Sequence, residues 1–354
     1  MEPVRFDHIV LTRFSFRGKK AFSMYTESKM WELYEDPLLP ANLEFRFKLF
    51  EVFCLPGILK QTSQSFKWVI LKDKDLPEKY LQRLKKLVEG MQNIYLHTFD
   101  PVVSLESMAW LKPYLDDERE WLITTNLDDD DVLPLNYIET IQFDIQSSAL
   151  NDRLPVVKIY ATTNVRQWDA ISSHKSPFGL ICNKLPAPSN IGFSLLVNKG
   201  LYDLTVWKLR HVLAESYFEK PVKQLNKNVE YGRKALKLDD PEAGLNQWEK
   251  NDLFYDVGQL TDSVLLVNHF KNVQQWRLHK SKDGCDIVSG ADSIPGRTVN
   301  FELFRKYRND FSKTQAFFYM LRLLLSRKYM AHKGGGRPQK LKNFIILIRW
   351  YFWR

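Results

Sequence analysis

A short apolar run ending in four consecutive aspartates constrains this chain more than any other feature. Residues 121–131 read W-L-I-T-T-N-L-D-D-D-D. Trp121, Leu122 and Ile123, followed by Thr124 and Thr125, favour a buried strand, and Pro134 stops any continuation. Carboxylates this dense, at Asp128, Asp129, Asp130 and Asp131, repel one another, so at a strand end they need a cation. Hard divalent ions take oxygen ligands and keep places for phosphates. The run therefore points to a Mg²⁺ or Mn²⁺ site that holds a diphosphate. A solvated acidic turn is the competing reading. Placement directly behind an apolar strand favours the site, because open α/β sheets bind ligands at the carboxyl ends of their strands.

The pattern around this run alternates strand and helix. Phe6 to Thr12, Phe66 to Leu71, Asn93 to Thr98 and Trp121 to Leu127 read as strands. Between them, Leu43 to Phe53 reads as a helix ended by Pro56-Gly57, Pro77 to Glu89 as a polar-faced helix, and Met108 to Leu115 as helical. Such alternation implies a largely parallel sheet covered by helices. Asn136 to Leu150 follows as a helix with Ile138, Ile141, Phe143 and Ile145 facing the core. Val156 to Ala161, Phe193 to Val197 and Ser263 to Val267 are further strands, Leu204 to Phe218 a helix, and residues 162–194 turn-rich. Residues 226–250 read as a polar surface segment, and Asp283 to Thr298 as a linker rich in Gly, Pro, Ser and Asp.

With 354 residues, 44% of them apolar and 26% charged, the chain has the make-up of a globular protein with one large or two ordinary domains. Its three cysteines, Cys54, Cys182 and Cys285, are odd in number and widely spaced. They suggest a reducing compartment and no disulfide scaffold. The N-terminus lacks an apolar signal region, and no apolar run reaches the ~18 residues of a membrane span, so the expectation is a soluble, cytoplasmic body. The net charge of +9 is uneven. Residues 305–354 hold thirteen Lys and Arg against the single acid Asp310, and the rest of the chain is close to neutral. It is the tail that seeks a polyanion.

The stretches His8 to Phe14, Leu49 to Pro56, Gln61 to Trp68, Ile123 to Asp131 and Val267 to Val273 together resemble the bacterial rhamnosyltransferase family, within the GT-A class of glycosyltransferases. The resemblance implies an α/β, GT-A-like fold: a mainly parallel twisted sheet flanked by helices, with a helical basic C-terminal extension. Residues 1–280 would be catalytic, 1–135 binding the nucleotide sugar and 136–280 facing the acceptor. Residues 281–300 would be a linker and 301–354 a basic amphipathic segment. The resemblance implies a DxD-type motif at Asp128 and Asp130, the first near the ribose and counted with the second among the ligands of a Mn²⁺ or Mg²⁺ ion, with Asp129 at the nucleotide and Asp131 supporting. His269 would complete the metal site; a core or surface histidine is the alternative. Thr12, Arg13 and Asp73 would contact the nucleotide, with Asp75 competing for the role of Asp73. Asn272 is read as a turn cap.

The activity implied is metal-dependent transfer of a sugar, rhamnose among the sugars expected, from a nucleotide-sugar donor to a glycan or lipid-linked acceptor of a bacterial surface polysaccharide. Such transfer needs the leaving diphosphate neutralised, which a divalent ion does as a Lewis acid. The base that takes the acceptor's proton is not fixed by the pattern; Asp169, His211 and Glu215, with His174 and Asp203, lie in the acceptor-side half. A nucleotidyltransferase or phosphohydrolase using the same acids is the second reading, disfavoured by the lack of a phosphate-binding G-x-x-x-x-G-K-[ST] loop. A nucleic-acid binder is the third, disfavoured because the basic charge is confined to the tail. That tail alternates apolar runs (Phe317 to Leu325, and Phe344 to Trp353) with Arg322, Arg327, Lys328, Lys340 and Lys342. It is expected to dock on an anionic membrane at the inner face, the alternative being that its first helix packs on the catalytic domain or a second subunit.

Overall fold

The computed structural model describes residues 4–15, 17, 36–99, 108–151, 154, 157–162, 164–173, 176–183, 191–201, 205–208, 254–269, 285–294, 296–325, 344–345, 347–348 and 351. Its first strand, β1 (Phe6–Phe14), has seven buried residues around the apolar centre Ile9, Val10 and Leu11. Parallel neighbours β2 (Lys67–Asp73) and β4 (Trp121–Asn126) flank it, and β3 (Ile94–Phe99) adds outside β2. The sheet continues from β4 through β8 (Ser194–Asn198) and β5 (Val157–Ala161) to β9 (Phe254–Asp256), in the order β3-β2-β1-β4-β8-β5-β9. Only β8 runs against its neighbours. The carboxyl ends of β1, β2 and β4 therefore open at one edge, where ligands of open α/β sheets bind.

Helices cover the sheet. Leu43, Phe47 and Phe50 pack against Val10, Phe14 and Trp68 on one face, joined there by Ile138, Ile141 and Ile145 of α4 (Tyr137–Leu150). The other face buries Ile9, Leu11, Val69 and Leu122 with Leu111 of a 3₁₀ segment, Met108–Tyr114. Phe143, expected in the core, is 67% exposed. The helix expected to stop at Pro56 runs on instead: α1 (Pro40–Leu49) passes through a π turn (Phe50–Cys54) into α2 (Leu55–Leu59). Proline lacks an N–H and collides with the carbonyl four residues back. The widened turn, with Leu55 N–H reaching Phe50 O, admits Pro56 as though at the start of a new helix, where no donor is needed.

A second sheet joins the expected strand at Val264–Asn268 to three strands that lie where turns and a linker were expected. Its order is β10-β6-β7-β11, built from β6 (Val165–Asp169), β7 (Leu180–Asn183), β10 (Val264–Asn268) and β11 (Cys285–Ile287). β10 and β6 are parallel. At the β6–β7 junction Gly179 has φ 87°, and a side chain there would collide with the Asp169 carbonyl. The 281–300 segment supplies β11, and Val288 and Ile294 are buried. Cys182 and Cys285 are register partners across β7 and β11 and form a disulfide, which overturns the expectation of unpaired thiols; Cys54 stays free and buried.

The C-terminal segment is not a detached amphipathic arm in its first half. Phe304 of α5 (Phe301–Lys306) and Ala316, Met320 and Leu324 of α6 (Lys313–Leu325) are buried with Phe53, Trp168, Ile181 and Val267. Trp168 stacks on Phe304, ring centroids 6.0 Å apart, and meets Phe53 edge-on at 5.0 Å. Burying each such side chain stabilises the fold by about 1.5–3 kcal/mol. Phe311 O accepts from Ser172 N–H (2.9 Å), and Lys313 N–H donates to Ser172 O (3.1 Å), locking α6 to the chain leaving β6. Phe318, Leu325, Phe344 and Ile345 remain exposed.

Candidate active site

The four aspartates sit on a loop that the second sheet holds in place. Directly after them Val132 and Leu265 exchange backbone hydrogen bonds (3.2 and 3.0 Å), an antiparallel bridge to β10. Asp131 Oδ1 accepts from Val267 N–H at 3.0 Å, so this carboxylate organises the loop. Burial, with Asp130 and Asp128 nearby, pushes the Asp131 carboxyl well above its ordinary range. Because the same strand carries His269 one residue past its end, the bridge fixes the distance between histidine and acids. His269 is 1% exposed, its Nε2 is 2.8 Å from Asp130 Oδ2, and its ring lies 5.5 Å from that of Phe45.

Each remaining acid meets a cation. Arg13, near the end of β1, donates to Asp128 Oδ1 at 2.7 Å. Arg46 of α1 places one nitrogen, Nη1, 2.9 Å from both Asp129 Oδ1 and Asp130 Oδ2. Asp129 Oδ2 accepts from Ser15 N–H at 3.3 Å. Ser15, with φ 45°, is the one non-glycine of positive φ among the described residues; such strain gathers at functional sites. Burial would raise the Asp130 carboxyl, but Arg46 and His269 outweigh it and hold it at about 2. For Asp129 burial prevails over Arg46, with Asp130 and Asp128 adding to it, and the carboxyl rises to about 7.

The expected residues divide accordingly. Asp128, Asp129, Asp130, Arg13 and His269 come together. Asp73 lies at the same edge but is buried, its carboxylate accepting from Arg17 N–H (3.0 Å) and Asp75 N–H (2.9 Å), so it closes the turn after β2. Asp75 pairs instead with Arg17 Nη1 at 3.0 Å. Thr12 departs from its expected role: it is fully buried, and its hydroxyl accepts from the Trp68 indole at 2.9 Å. Asp169 ends β6 directly opposite Asn268, at the His269 end of the second sheet. His174, Asp203, His211, Glu215 and Asn272 lie outside the described residues.

Arg46 was missed by sequence reasoning. Its signal was an arginine inside a helix whose Leu43, Phe45, Phe47 and Leu49 are all buried. An arginine in so apolar a helix needs an acid partner.

Among the described residues no three His, Cys, Asp or Glu side chains converge as a metal cage. A two-residue site is compatible with Mg²⁺ or Mn²⁺, which take one or two protein groups and fill the rest of their shell with phosphate and water. Asp130 and His269 offer such an oxygen–nitrogen pair.

One reversed strand in an otherwise parallel sheet, with acids gathered at the strand ends, is the arrangement expected of a GT-A-like fold. Residues 7–170 match the family described as "Putative rhamnosyl transferase". No curated protein matches the chain. Among solved structures, Staphylococcus aureus TarS 1-349 in complex with UDP is 12% identical (98% of this chain and 80% of that one, TM-score 0.32). A putative nucleotide-diphospho-sugar transferase from Desulfovibrio desulfuricans is 11% identical (66% and 77%, TM-score 0.31). The 4-diphosphocytidyl-2C-methyl-D-erythritol synthase from Anaerococcus prevotii is 12% identical (75% and 90%, TM-score 0.29). At these TM-scores none bears on the chemistry of this chain.

Proposed function

We propose that this protein transfers a sugar, rhamnose in the reading its family suggests, from a nucleoside-diphosphate donor to a glycan or lipid-linked acceptor, with a divalent ion at Asp130 and His269. The observation that carries this reading is the 2.8 Å approach of His269 to Asp130, made by residues 139 positions apart. A pair so distant in sequence is brought together by the fold, at the sheet edge where a nucleotide would lie. The ion, when bound, supplies positive charge to the leaving diphosphate. The chain's own groups do the rest. Arg13, already beside Asp128, contacts the donor phosphates, and Asp128 faces the ribose. Asp169, His211 and Glu215 are the candidates for the base that takes the acceptor hydroxyl's proton, and Asp169 ends β6 opposite Asn268, at the His269 end of the second sheet.

A lipid-linked acceptor would be met at a membrane surface. The exposed Phe318, Leu325, Phe344 and Ile345 lie in the basic C-terminal segment, and apolar insertion beside lysine and arginine suits an anionic leaflet. No described helix is long and apolar enough to cross a membrane. The test of the transfer reading is release of nucleoside diphosphate by wild type and Asp130→Asn, with and without Mn²⁺. Metal-stimulated release lost in the variant supports it; equal release by both proteins refutes it.

A further inference from the structure

Arg46 and the proposed ion compete for one oxygen. Asp130 Oδ2 is contacted at once by Arg46 Nη1 (2.9 Å) and His269 Nε2 (2.8 Å). A Mg²⁺ or Mn²⁺ shared by Asp130 and His269 would sit about 2 Å from that oxygen. The guanidinium would then lie close to a second cation in a largely water-excluded place, where like charges repel far more strongly than in water. Arg46 is also the more open partner: its side chain is 28% exposed, against 6% for Asp129 and 10% for Asp130. The Arg46 side chain therefore has an opening toward solvent that the acids lack.

We infer that Arg46 is a displaceable counter-ion: it neutralises Asp129 and Asp130 in the free protein and moves to the donor's diphosphate when the divalent ion enters. This rests on the donor and metal reading above. The chemistry closes on itself, because the ion brings two positive charges to the acids while the diphosphate brings the anion that the displaced guanidinium needs. Arginine suits both partners, its planar fork binding carboxylate and phosphate alike. The helix has a joint at the right place. Phe50 N–H is shared between the carbonyls of Arg46 and Phe47, and the π turn Phe50–Cys54 begins there; such turns inside helices recur at functional sites. The consequence is coupling: the ion alone binds poorly because Arg46 holds its place, and the nucleotide alone binds poorly because Arg46 is engaged.

The experiment is Mn²⁺ titration of wild type, Arg46→Gln and Arg46→Lys, followed by calorimetry and by the paramagnetic signal of free Mn²⁺, with circular dichroism verifying the fold. Without nucleotide, Arg46→Gln should bind Mn²⁺ at least about tenfold more tightly than wild type, the scale on which groups next to a metal site act. Arg46→Lys, which keeps a cation but on a shorter stem and without the planar fork, should shift in the same direction and by less, and it serves if the glutamine variant does not fold. With Mn²⁺ present, UDP, dTDP and GDP are tested in turn, and Arg46→Gln should bind the preferred one more weakly than wild type. Unchanged Mn²⁺ affinity in the variants overturns the inference, as does unchanged nucleotide affinity. If wild type binds none of the three diphosphates, the donor reading fails separately, while the comparison of metal affinities still decides the part played by Arg46. Asp130→Asn is the control: Mn²⁺ affinity equal to wild type there would remove the metal site itself.

Discussion

His269 Nε2 approaches Asp130 Oδ2 to 2.8 Å, and this contact joins the two halves of the site. The acid follows β4 of the large sheet, and the imidazole follows β10 of the small one. Since Asp130 is buried and also pairs with Arg46, its replacement costs stability as well as activity, unlike a solvated strand-end acid. Asp130→Asn should lower stability by about 1–3 kcal/mol and transfer by at least about 100-fold, the upper end of what groups merely supporting a metal site contribute. Urea denaturation beside a transfer assay measures both; transfer within threefold of wild type would be inconsistent with the role given to Asp130.

His8 gives the fold an acid sensitivity. It is 2% exposed, with Nε2 2.8 Å from Thr125 Oγ1, and burial lowers its pKa to about 3. The folded protein keeps the ring neutral while the unfolded chain protonates it near 6.5. Stability should therefore fall as pH drops from about 6.5 toward 3, by up to ~1.4 kcal/mol per pH unit from this group. Above pH 6.5 the group contributes no slope. Asp129, with its raised carboxyl, gives a slope of opposite sign between about 4 and 7, so the difference between wild type and His8→Gln isolates the histidine. Identical pH profiles for the two proteins would contradict the assignment.

Phe304 tests whether the C-terminal helices belong to the core. It is fully buried against Trp168 and Phe53. Phe304→Ala should destabilise by about 3–5 kcal/mol. A loss under 1 kcal/mol would mean that α5 does not pack as described. A truncation at Tyr307 would strip Phe311, Ala316, Met320 and Leu324 from the same cluster, so membrane binding is better tested by point changes. The triple change of Phe318, Phe344 and Ile345 to serine should weaken co-sedimentation with phosphatidylserine vesicles by at least about tenfold. Binding unaffected by the triple change, or by salt, would exclude this surface as the anchor.

The Cys182–Cys285 disulfide closes a separation of 103 residues. Cross-links of this kind contribute about 2–4 kcal/mol. Chemical denaturation with and without reductant should show such a loss in wild type and no effect of reductant on Cys285→Ser. Equal stability of oxidised and reduced wild type would contradict a structural role.

The first half of the fold was legible because β1, β2 and β4 each carry a short apolar core (I-V-L, W-V-I-L and W-L-I), as strands buried on both faces do. β6, β7 and β11 were not, since V-R-Q-W-D, L-I-C-N and C-D-I are short and broken by polar residues. The disulfide was illegible for a different reason, as its partners meet only through the pairing of strands far apart in sequence. In the site, the acids and His269 could be read from type and position. Thr12 could not, because its hydroxyl is taken up by Trp68, a contact across the β1–β2 pair that no local pattern records. Arg46 escaped because a helix reading attends to apolar spacing, and its acid partners lie more than 80 residues away.

The most direct measurement of the central claim is release of nucleoside diphosphate from a panel of nucleotide sugars, deoxysugar donors included, by wild type in Mn²⁺ and in excess EDTA. The account expects release from at least one donor in Mn²⁺, falling to background in EDTA and in His269→Ala. Release that persists undiminished in EDTA, or none from any donor with metal present, would contradict it.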